Sequence, residues 1–259
     1  MLLKNVLSLF FVIAIPSTVS AARCGNTSAG FESWKLEFAA EAKANGIKAK
    51  GLSALASTKY ASATIKADRN QKSFKLSLNA FMQKRGAAGI IARGRNLKKS
   101  NAGLFARIEK KYGVPPGPLL AIWGMESGFG GFTGNQNTIS AVATLAYDCR
   151  RTEFFTEQLY AALKLVERGS LSSSTRGAMH GEVGQTQFMP KNVLLYGVGN
   201  MNSKEGALMS TAKFLVGHGW SRGDGYQPGD ANFDAIEGWN AASVYQKAIA
   251  IMGAKIDGN

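Results

Sequence analysis

The sequence predicts an all-α, or mostly α, fold. Apolar residues recur at helical spacing along most of the chain, as at Phe31, Trp34, Phe38 and Ala42. Stretches with the alternation expected of strands are few. Hydrophobic residues make up 45% of the 259 positions. That content is enough for the core of one large domain or of two small, closely packed ones.

Residues 1–22 predict a secretory signal that is not part of the fold. Lys4 gives a positive start, an apolar run follows, and small residues at 19–22 suit cleavage by a signal peptidase. The run is too short for a membrane-spanning helix, which needs about 20 residues. Arg23 stands before Cys24 where a lipoprotein has a small residue. We therefore expect an exported chain of residues 23–259 without stable membrane insertion.

The helices are predicted in order from apolar periodicity and from the glycines and prolines that interrupt it. Residues 84–99 are rich in Arg and Lys, which indicates a solvated helix face, with a polyanion-binding face as the alternative. Loops are predicted over 128–135, 170–184 and 224–234. The predicted helices span residues 31–45, 51–67, 71–84, 84–99, 101–112, 119–126, 138–145, 152–168, 205–217 and 243–255.

Glu126 ends the apolar helical segment 119–126, and a glycine-rich turn follows it. A Glu on the last turn of a buried helix is desolvated and faces helix carbonyls, and both effects raise its carboxyl pKa. A carboxylic acid that stays protonated can donate a proton to the leaving oxygen of a glycosidic bond. The alternative is a Glu that ends the helix and points into water. The turn lacks the Gly-Lys-Ser/Thr ending of a phosphate-binding loop, which argues against a nucleotide site.

The charge and the cysteines restrict the partners and the compartment. A formal net charge of +14 favours polyanions or an anionic surface. An exported protein rarely meets nucleic acid, whereas the carboxylates of the cell wall fit the compartment. After export, Cys24 and Cys149 most simply form one disulfide, which would close a loop of about 125 residues. These cysteines and the two histidines, His180 and His218, show no metal-ligand spacing, so no metal site is predicted.

Several spaced motifs resemble those of lytic murein transglycosylases of the B type. The central motif carries Glu126, and the resemblance extends over nearly the whole chain after residue 22. The matching segments are 67–71, 91–95, 114–116, 121–127, 133–135, 143–151, 181–190, 218–220 and 239–240. Several motifs in the right order make the resemblance far more specific than a single Glu-Ser pair.

The resemblance implies a lysozyme-like catalytic core, residues 104–259, with a helical arm, residues 23–103, packed on it. It also implies a periplasmic enzyme that acts on peptidoglycan glycan strands without a cofactor. Family members cleave the bond between N-acetylmuramic acid and N-acetylglucosamine with a single Glu that serves first as acid and then as base. The 6-hydroxyl of the muramyl residue attacks its own anomeric carbon, so the product has a 1,6-anhydro end. Because this attack is intramolecular, much of its entropy cost is prepaid.

Carried over by position, the resemblance assigns Glu126 as the acid and base. Gln187 matches a glutamine that hydrogen-bonds near the cleaved bond, and Asn240 matches a cleft asparagine. Trp239 is expected to pack on a sugar face, and Ser127 to orient the Glu126 carboxyl. For Gln187 and Asn240 the alternative is a satisfied buried amide that holds a loop.

The sequence departs from the family pattern at three places. A cleft tyrosine falls at Phe214, so its hydroxyl is missing, and a serine falls near Ala178. The acidic loop that follows the Gln187 motif is shortened to residues 196–204 and lacks carboxylates, so we predict no calcium site there.

Glu182 leaves the reaction type open. It is interpreted as a loop carboxylate, as a group that raises the pKa of Glu126 further, or as a base that positions a water. The last role would make the protein a lysozyme-like hydrolase that uses Glu126 and Glu182. A catalytically weak wall-binding protein is the alternative of another class, because the family's cleft groups at Phe214 and Ala178 are missing.

Overall fold

Helices and one short two-stranded sheet form the regular structure of the residues that the computed structural model describes, 22–70 and 76–258. The predicted all-α class is confirmed. Residues 1–21 of the predicted signal, and residues 71–75 of the predicted helix 71–84, lie outside the described residues. The helices are α1 Phe31–Ala44, α2 Ala49–Ala56, α3 Ser62–Arg69, α4 Leu78–Lys84, α5 Ala87–Ser100, α6 Ala102–Tyr112, α7 Pro116–Ser127, α8 Thr138–Tyr147, α9 Thr152–Glu167, α10 Pro190–Tyr196, α11 Lys204–Gly217, α12 Phe233–Trp239 and α13 Ser243–Asp257, and the strands are β1 Gln136–Asn137 and β2 Arg176–Gly177.

Three elements differ from the prediction. The single helix expected over 51–67 is two helices, because the hydroxyls of Ser57 and Thr58 donate to carbonyls of the last turn of α2 and end it. The helices α10 and α12 were not predicted. Pro190 at the first position of α10 is a start signal that the sequence did contain. The helix α12 is only seven residues long, too short to show a clear helical period.

The helix α7 lies at the centre of the molecule. Pro116 occupies its first turn, and Gly128 ends it in the left-handed conformation at φ 58°. Every residue of α7 is buried except Glu126. A helix that is apolar all round belongs in the core of a protein, so the one carboxylate it carries is held at the edge of that core.

Helices α1 to α5 and the later helices share one continuous hydrophobic core. Helix α2 packs on α9, α3 packs on α8, and α5 packs on both α7 and α13. Close approach of α5 to α7 depends on Gly124, since a Cβ there would lie 2.6 Å from Ile90 Cγ2. Cys24 and Cys149 form the predicted disulfide, with Cα atoms 5.0 Å apart, and so tie the segment before α1 to the residues that follow α8.

The small sheet fixes two loops beside the end of α7. Its strands are antiparallel, with Gln136 opposite Gly177 and Asn137 opposite Arg176. Gly134 lies against β2 at φ 93°, and a Cβ there would lie 2.2 Å from the carbonyl oxygen of Gly177. This glycine therefore allows the glycine-rich turn to approach the segment 177–188, which carries the Gln187 motif.

Within residues 22–70 and 76–258, no helix is long and apolar enough to span a membrane. The same residues contain no group of three or more His, Cys, Asp or Glu side chains arranged to hold a metal ion.

Candidate active site

A cavity of about 230 Å³ opens where the end of α7 meets the 181–189 loop and the end of α12. It brings together five of the six predicted site residues, Glu126, Glu182, Gln187, Trp239 and Asn240. The other lining residues are Phe188, Met189, Asn192 and Phe214. Two carboxyl groups, three amides and an aromatic cluster therefore line one cavity.

The carboxyl group of Glu126 accepts two hydrogen bonds on one oxygen. Trp239 Nε1 donates to Oε1 at 3.0 Å, and the hydroxyl of Tyr245 donates to the same atom at 2.5 Å. Tyr245 lies on α13 and is buried, so its hydroxyl is held in place against the carboxyl group. Two donors on Oε1 leave Oε2 as the oxygen that carries the proton when the group is a neutral acid.

Burial raises the pKa of Glu126, as the sequence predicts, and the negative charge of Glu182 adds to this effect. The hydrogen bonds from Tyr245 and Trp239 and the positive charge of Arg85 act in the opposite direction without overcoming burial. The same donors stabilise the carboxylate once the proton has left. One group is thereby suited to act first as an acid and then as a base.

Glu182 has the opposite protonation preference. Burial would raise its pKa, but hydrogen bonds and charge from His180 outweigh burial and hold it below the usual range. The backbone N–H of His180 donates to Oε2 at 2.9 Å, and ring Nδ1 lies 3.2 Å from Oε1. A pair of carboxyl groups whose surroundings drive their pKa values apart is the arrangement expected of an acid and an ionised companion.

Gln187 lines the cavity, and its side-chain hydrogen bonds also stabilise the loop that carries it. Its side-chain amide donates to the carbonyl oxygens of Gly184, at 2.8 Å, and Thr133, at 3.2 Å. Its backbone adopts φ 54°, which a residue with a side chain rarely does. Such strain persists only where the surroundings impose it, and it is commonest at functional sites.

The side chains of Asn240 and Ser127 also form hydrogen bonds with backbone groups. Asn240 Oδ1 accepts from the N–H of Ala242 at 3.0 Å, at the start of α13. Ser127 is buried under the loop, where its hydroxyl donates to the carbonyl of Gln185 and accepts from the N–H of Gly130. The hydrogen bonds of Ser127 therefore join the end of α7 to the loop, and the donors to Glu126 come from Trp239 and Tyr245 instead.

Trp239 combines an aromatic surface with its hydrogen bond to the acid. Its ring packs against Phe188 and Phe214, with centroids 5.2 and 5.1 Å away. Phe214, where the family pattern has a tyrosine, stacks on His218 at 3.9 Å. An apolar wall therefore lies beside the carboxyl groups, and apolar walls of this kind suit the faces of sugar rings.

Sequence reasoning missed Tyr245 and Arg85. Tyr245 follows Trp239 by six positions, and α13, which carries it, was predicted, but no motif marks it. Its pKa is raised well above the ordinary value by burial and by the charge of Glu126, so it stays a donor. Arg85 belongs to the basic stretch that was interpreted as a solvated face. Its guanidinium lies over Phe81 at 5.2 Å and over Tyr245 at 5.8 Å, within electrostatic reach of Glu126.

The remaining departures lie outside the catalytic cavity. The N–H of Ala178 donates to the carbonyl of Glu182 at 2.9 Å. The short loop between α10 and α11 is closed by hydrogen bonds to Asn200 from Asn202 and Ser203. Amide and hydroxyl groups take the place of the carboxylates that a calcium loop would need there.

Comparison with known proteins gives the same family as the motifs. The model of the transglycosylase SLT domain family matches residues 30–229. The membrane-bound lytic murein transglycosylase B of Escherichia coli (strain K12) is 33% identical over 123 residues. That alignment covers 44% of this chain and only 34% of the E. coli protein, so it spans about a third of that relative's length.

Solved structures share the fold. SltB3 from Pseudomonas aeruginosa in complex with NAG-anhNAM-pentapeptide is 27% identical, with a TM-score of 0.80 over 88% of this chain and 80% of that one. The Escherichia coli lytic transglycosylase Slt35 in complex with bulgecin A is 18% identical, with a TM-score of 0.76 over 95% of this chain and 98% of that one. The second likeness concerns the fold alone. Since the family model matches well over half of the chain, this protein belongs to the transglycosylase SLT domain family.

Proposed function

We propose that the protein is a peptidoglycan lytic transglycosylase that cleaves the bond between N-acetylmuramic acid and N-acetylglucosamine. The observation that carries the proposal is the geometry of Glu126, a largely buried carboxyl group with a raised pKa, two donors on Oε1 and an open cavity beside it. Family membership supports the substrate class, as does the SltB3 structure with its NAG-anhNAM-pentapeptide ligand.

The reaction uses Glu126 twice. As an acid it gives its proton to the glycosidic oxygen, and the bond between that oxygen and the anomeric carbon breaks. The carboxylate that remains is stabilised by Trp239 and Tyr245. It then takes the proton of the muramyl 6-hydroxyl while that oxygen bonds to the anomeric carbon. The carboxylic acid is regenerated, and the product carries a 1,6-anhydro end.

Glu126→Gln tests the acid and base role. The amide keeps the shape of the side chain but cannot give and then take the proton. We expect turnover to fall by about 100- to 10,000-fold, as is typical when general acid–base catalysis is lost, with an unchanged thermal unfolding curve. Turnover of purified peptidoglycan within a few-fold of the unsubstituted protein would show that Glu126 is not the acid.

Product analysis separates the transglycosylase from its alternatives. Glu182 lines the same cavity and is the group that would activate a water in a hydrolase. Mass spectrometry of digested peptidoglycan should show 1,6-anhydromuramyl ends. Reducing ends would show hydrolysis with Glu182 as the base, and the absence of any cleaved product would identify a wall-binding protein.

We also propose that the protein is exported to the periplasm and that a helical arm, residues 23–103, serves a catalytic core, residues 104–259. The E. coli relative is described as membrane-bound, which places that protein at the envelope. Arg85, on the arm, lies within electrostatic reach of Glu126 and lowers its pKa. This contact supports a role for the arm in setting the protonation of the catalytic group. If export follows the predicted signal, the protein recovered from the periplasm should begin at residue 22 or 23.

A further inference from the structure

A chain of ionisable side chains leads from α3 to the cavity through His180. Asp68 on α3 is buried and is paired with Arg150 and Arg151. His180 Nε2 lies 3.6 Å from Asp68 Oδ1, and its Nδ1 lies 3.2 Å from Glu182 Oε1. The imidazole ring is therefore held between two carboxylates, one on the arm and one in the cavity.

The direction of the hydrogen bond between His180 and Glu182 follows from chemistry. An ionised carboxylate only accepts, so Nδ1 of His180 must carry a proton and donate to Oε1. The backbone N–H of His180 donates to Oε2 at 2.9 Å, so both oxygens of Glu182 are engaged by one residue. The side chain of His180 is 13% exposed and that of Asp68 is 3% exposed, which limits competition from water.

We propose that His180, backed by Asp68, is a positioning residue that holds Glu182 as an ionised carboxylate, so that Glu126 keeps the catalytic proton. This inference rests on the proposed function, because it assigns different protonation states to two carboxyl groups in the same cavity. Because Glu182 lines the same cavity as Glu126, its ionised carboxylate would also stabilise the positive charge that develops at the anomeric carbon when the glycosidic bond breaks.

The charged groups around each carboxyl group decide which titration each limb of the pH–activity profile reports. Glu182 faces His180 on its own loop, Glu126 on α7 and Arg151 at the start of α9. Glu126 also faces Tyr245 on α13 and Arg85 after α4. The acidic limb of the activity profile should report mainly Glu182, and the alkaline limb mainly Glu126, as two titrations that belong to the pair.

The direct test is NMR titration of the protein labelled with ¹³C at the Glu side-chain carboxyl carbons. The signal of Glu182 is the one that disappears in Glu182→Gln, and that of Glu126 the one that disappears in Glu126→Gln. In the unsubstituted protein we expect Glu182 to titrate below the ordinary Glu range and Glu126 above it. The reverse order would overturn the proposal. This measurement needs no catalytic activity, so a failed transglycosylase assignment would not obscure it.

Two substitutions of His180 form a matched pair. The amide nitrogen of Asn occupies nearly the place of Nδ1, whereas that of Gln reaches the place of Nε2. In His180→Gln the side-chain donor to Glu182 is lost while the backbone N–H of residue 180 remains, and we expect the Glu182 titration and the acidic limb of activity to rise by about one pH unit. His180→Asn should shift both by less.

A purely structural role predicts a different pattern. If His180 and Asp68 only hold the arm on the core, both variants should unfold at lower temperature while the two limbs and the Glu182 titration stay in place. That result would overturn the proposal, and so would a shift as large in His180→Asn as in His180→Gln. Asp68→Asn should shift the Glu182 titration in the same direction as His180→Gln, because it removes the charge behind the ring.

Discussion

At the scale of single residues, the chemistry depends on the balance between burial and hydrogen bonding at Glu126. Burial favours the neutral acid, and the donors Trp239 and Tyr245 favour the carboxylate. Burial has the larger effect, so the pKa of Glu126 is raised. The two donors stabilise the carboxylate and so lower the free-energy cost of losing the proton during the reaction. A small change in either contribution should move the pH range of activity.

Tyr245→Phe tests this balance. The substitution removes the 2.5 Å hydrogen bond to Glu126 Oε1 but keeps the ring that packs on Phe81. The pKa of Glu126 should rise because the carboxylate loses a donor, so the alkaline limb should move to higher pH by about one unit. Maximal turnover should fall. A matched control is Tyr226→Phe, whose hydroxyl bonds to Asp257. An alkaline limb that moves equally in both variants would contradict the prediction.

Glu182→Gln should shift the alkaline limb the other way. The charge of Glu182 raises the pKa of Glu126, so removing it lets Glu126 lose its proton at lower pH. The product should stay a 1,6-anhydro sugar if Glu182 stabilises charge and does not activate water. The pH profile and the mass of the products check both statements, and an unmoved limb would show that the two carboxyl groups are uncoupled.

Residue-scale reasoning from the sequence identified the candidate acid and most of the cavity lining. Glu126 stood out because a carboxylate in an apolar helix is rare, and Gln187, Trp239 and Asn240 came from the family motif. Tyr245 and Arg85 could not be found in this way, because ordinary side chains in helices are not distinguished from core or surface residues until the helices are packed together.

At the scale of elements, the site depends on how closely helices and loops approach α7. Gly124→Ala would place a Cβ 2.6 Å from Ile90 Cγ2 and 2.9 Å from Phe129 Cζ. We expect a loss of about 1–3 kcal/mol in the free energy of unfolding, as is usual for overpacking. Gly89→Ala on α5 is the control, because nothing lies within 4 Å of its Cβ, and it should be neutral or stabilising.

Chemical denaturation measures both variants. Equal stability of Gly124→Ala and Gly89→Ala would show that α5 and α7 are not in close contact. Activity should fall in Gly124→Ala more than stability alone explains, because Phe129 forms the turn after Glu126 and carries a strained backbone at φ 62°. Folded fractions are compared by circular dichroism at the assay temperature.

At the scale of the whole molecule, the disulfide closes a large covalent loop. Cys24 and Cys149 are separated by 125 positions, and the chain-entropy model assigns such a loop on the order of 5 kcal/mol. Replacing both cysteines with serine should lower the free energy of unfolding by an amount of that order. The active-site geometry should persist at low temperature, since neither cysteine lines the cavity.

Thiol counting provides the control for that prediction. The unreduced, denatured protein should contain no free thiol at Cys24 or Cys149, and reduction should release two. A double serine variant as stable as the oxidised protein would mean that the unfolded chain is not constrained by the bond, which is where the model places its effect.

The sequence alone allowed us to predict the helical class, Glu126 as the candidate acid, and the pairing of the two cysteines. Helical periodicity, a carboxylate in an apolar segment and paired cysteines after a signal are all visible along the chain. The short helix α12, the donor Tyr245 and the connection from Asp68 through His180 to Glu182 were decided only by tertiary structure. The hydrogen bond between Tyr245 and Glu126 joins residues 119 positions apart, and only the packing of the helices and loops against one another brings such distant side chains within hydrogen-bonding and electrostatic range.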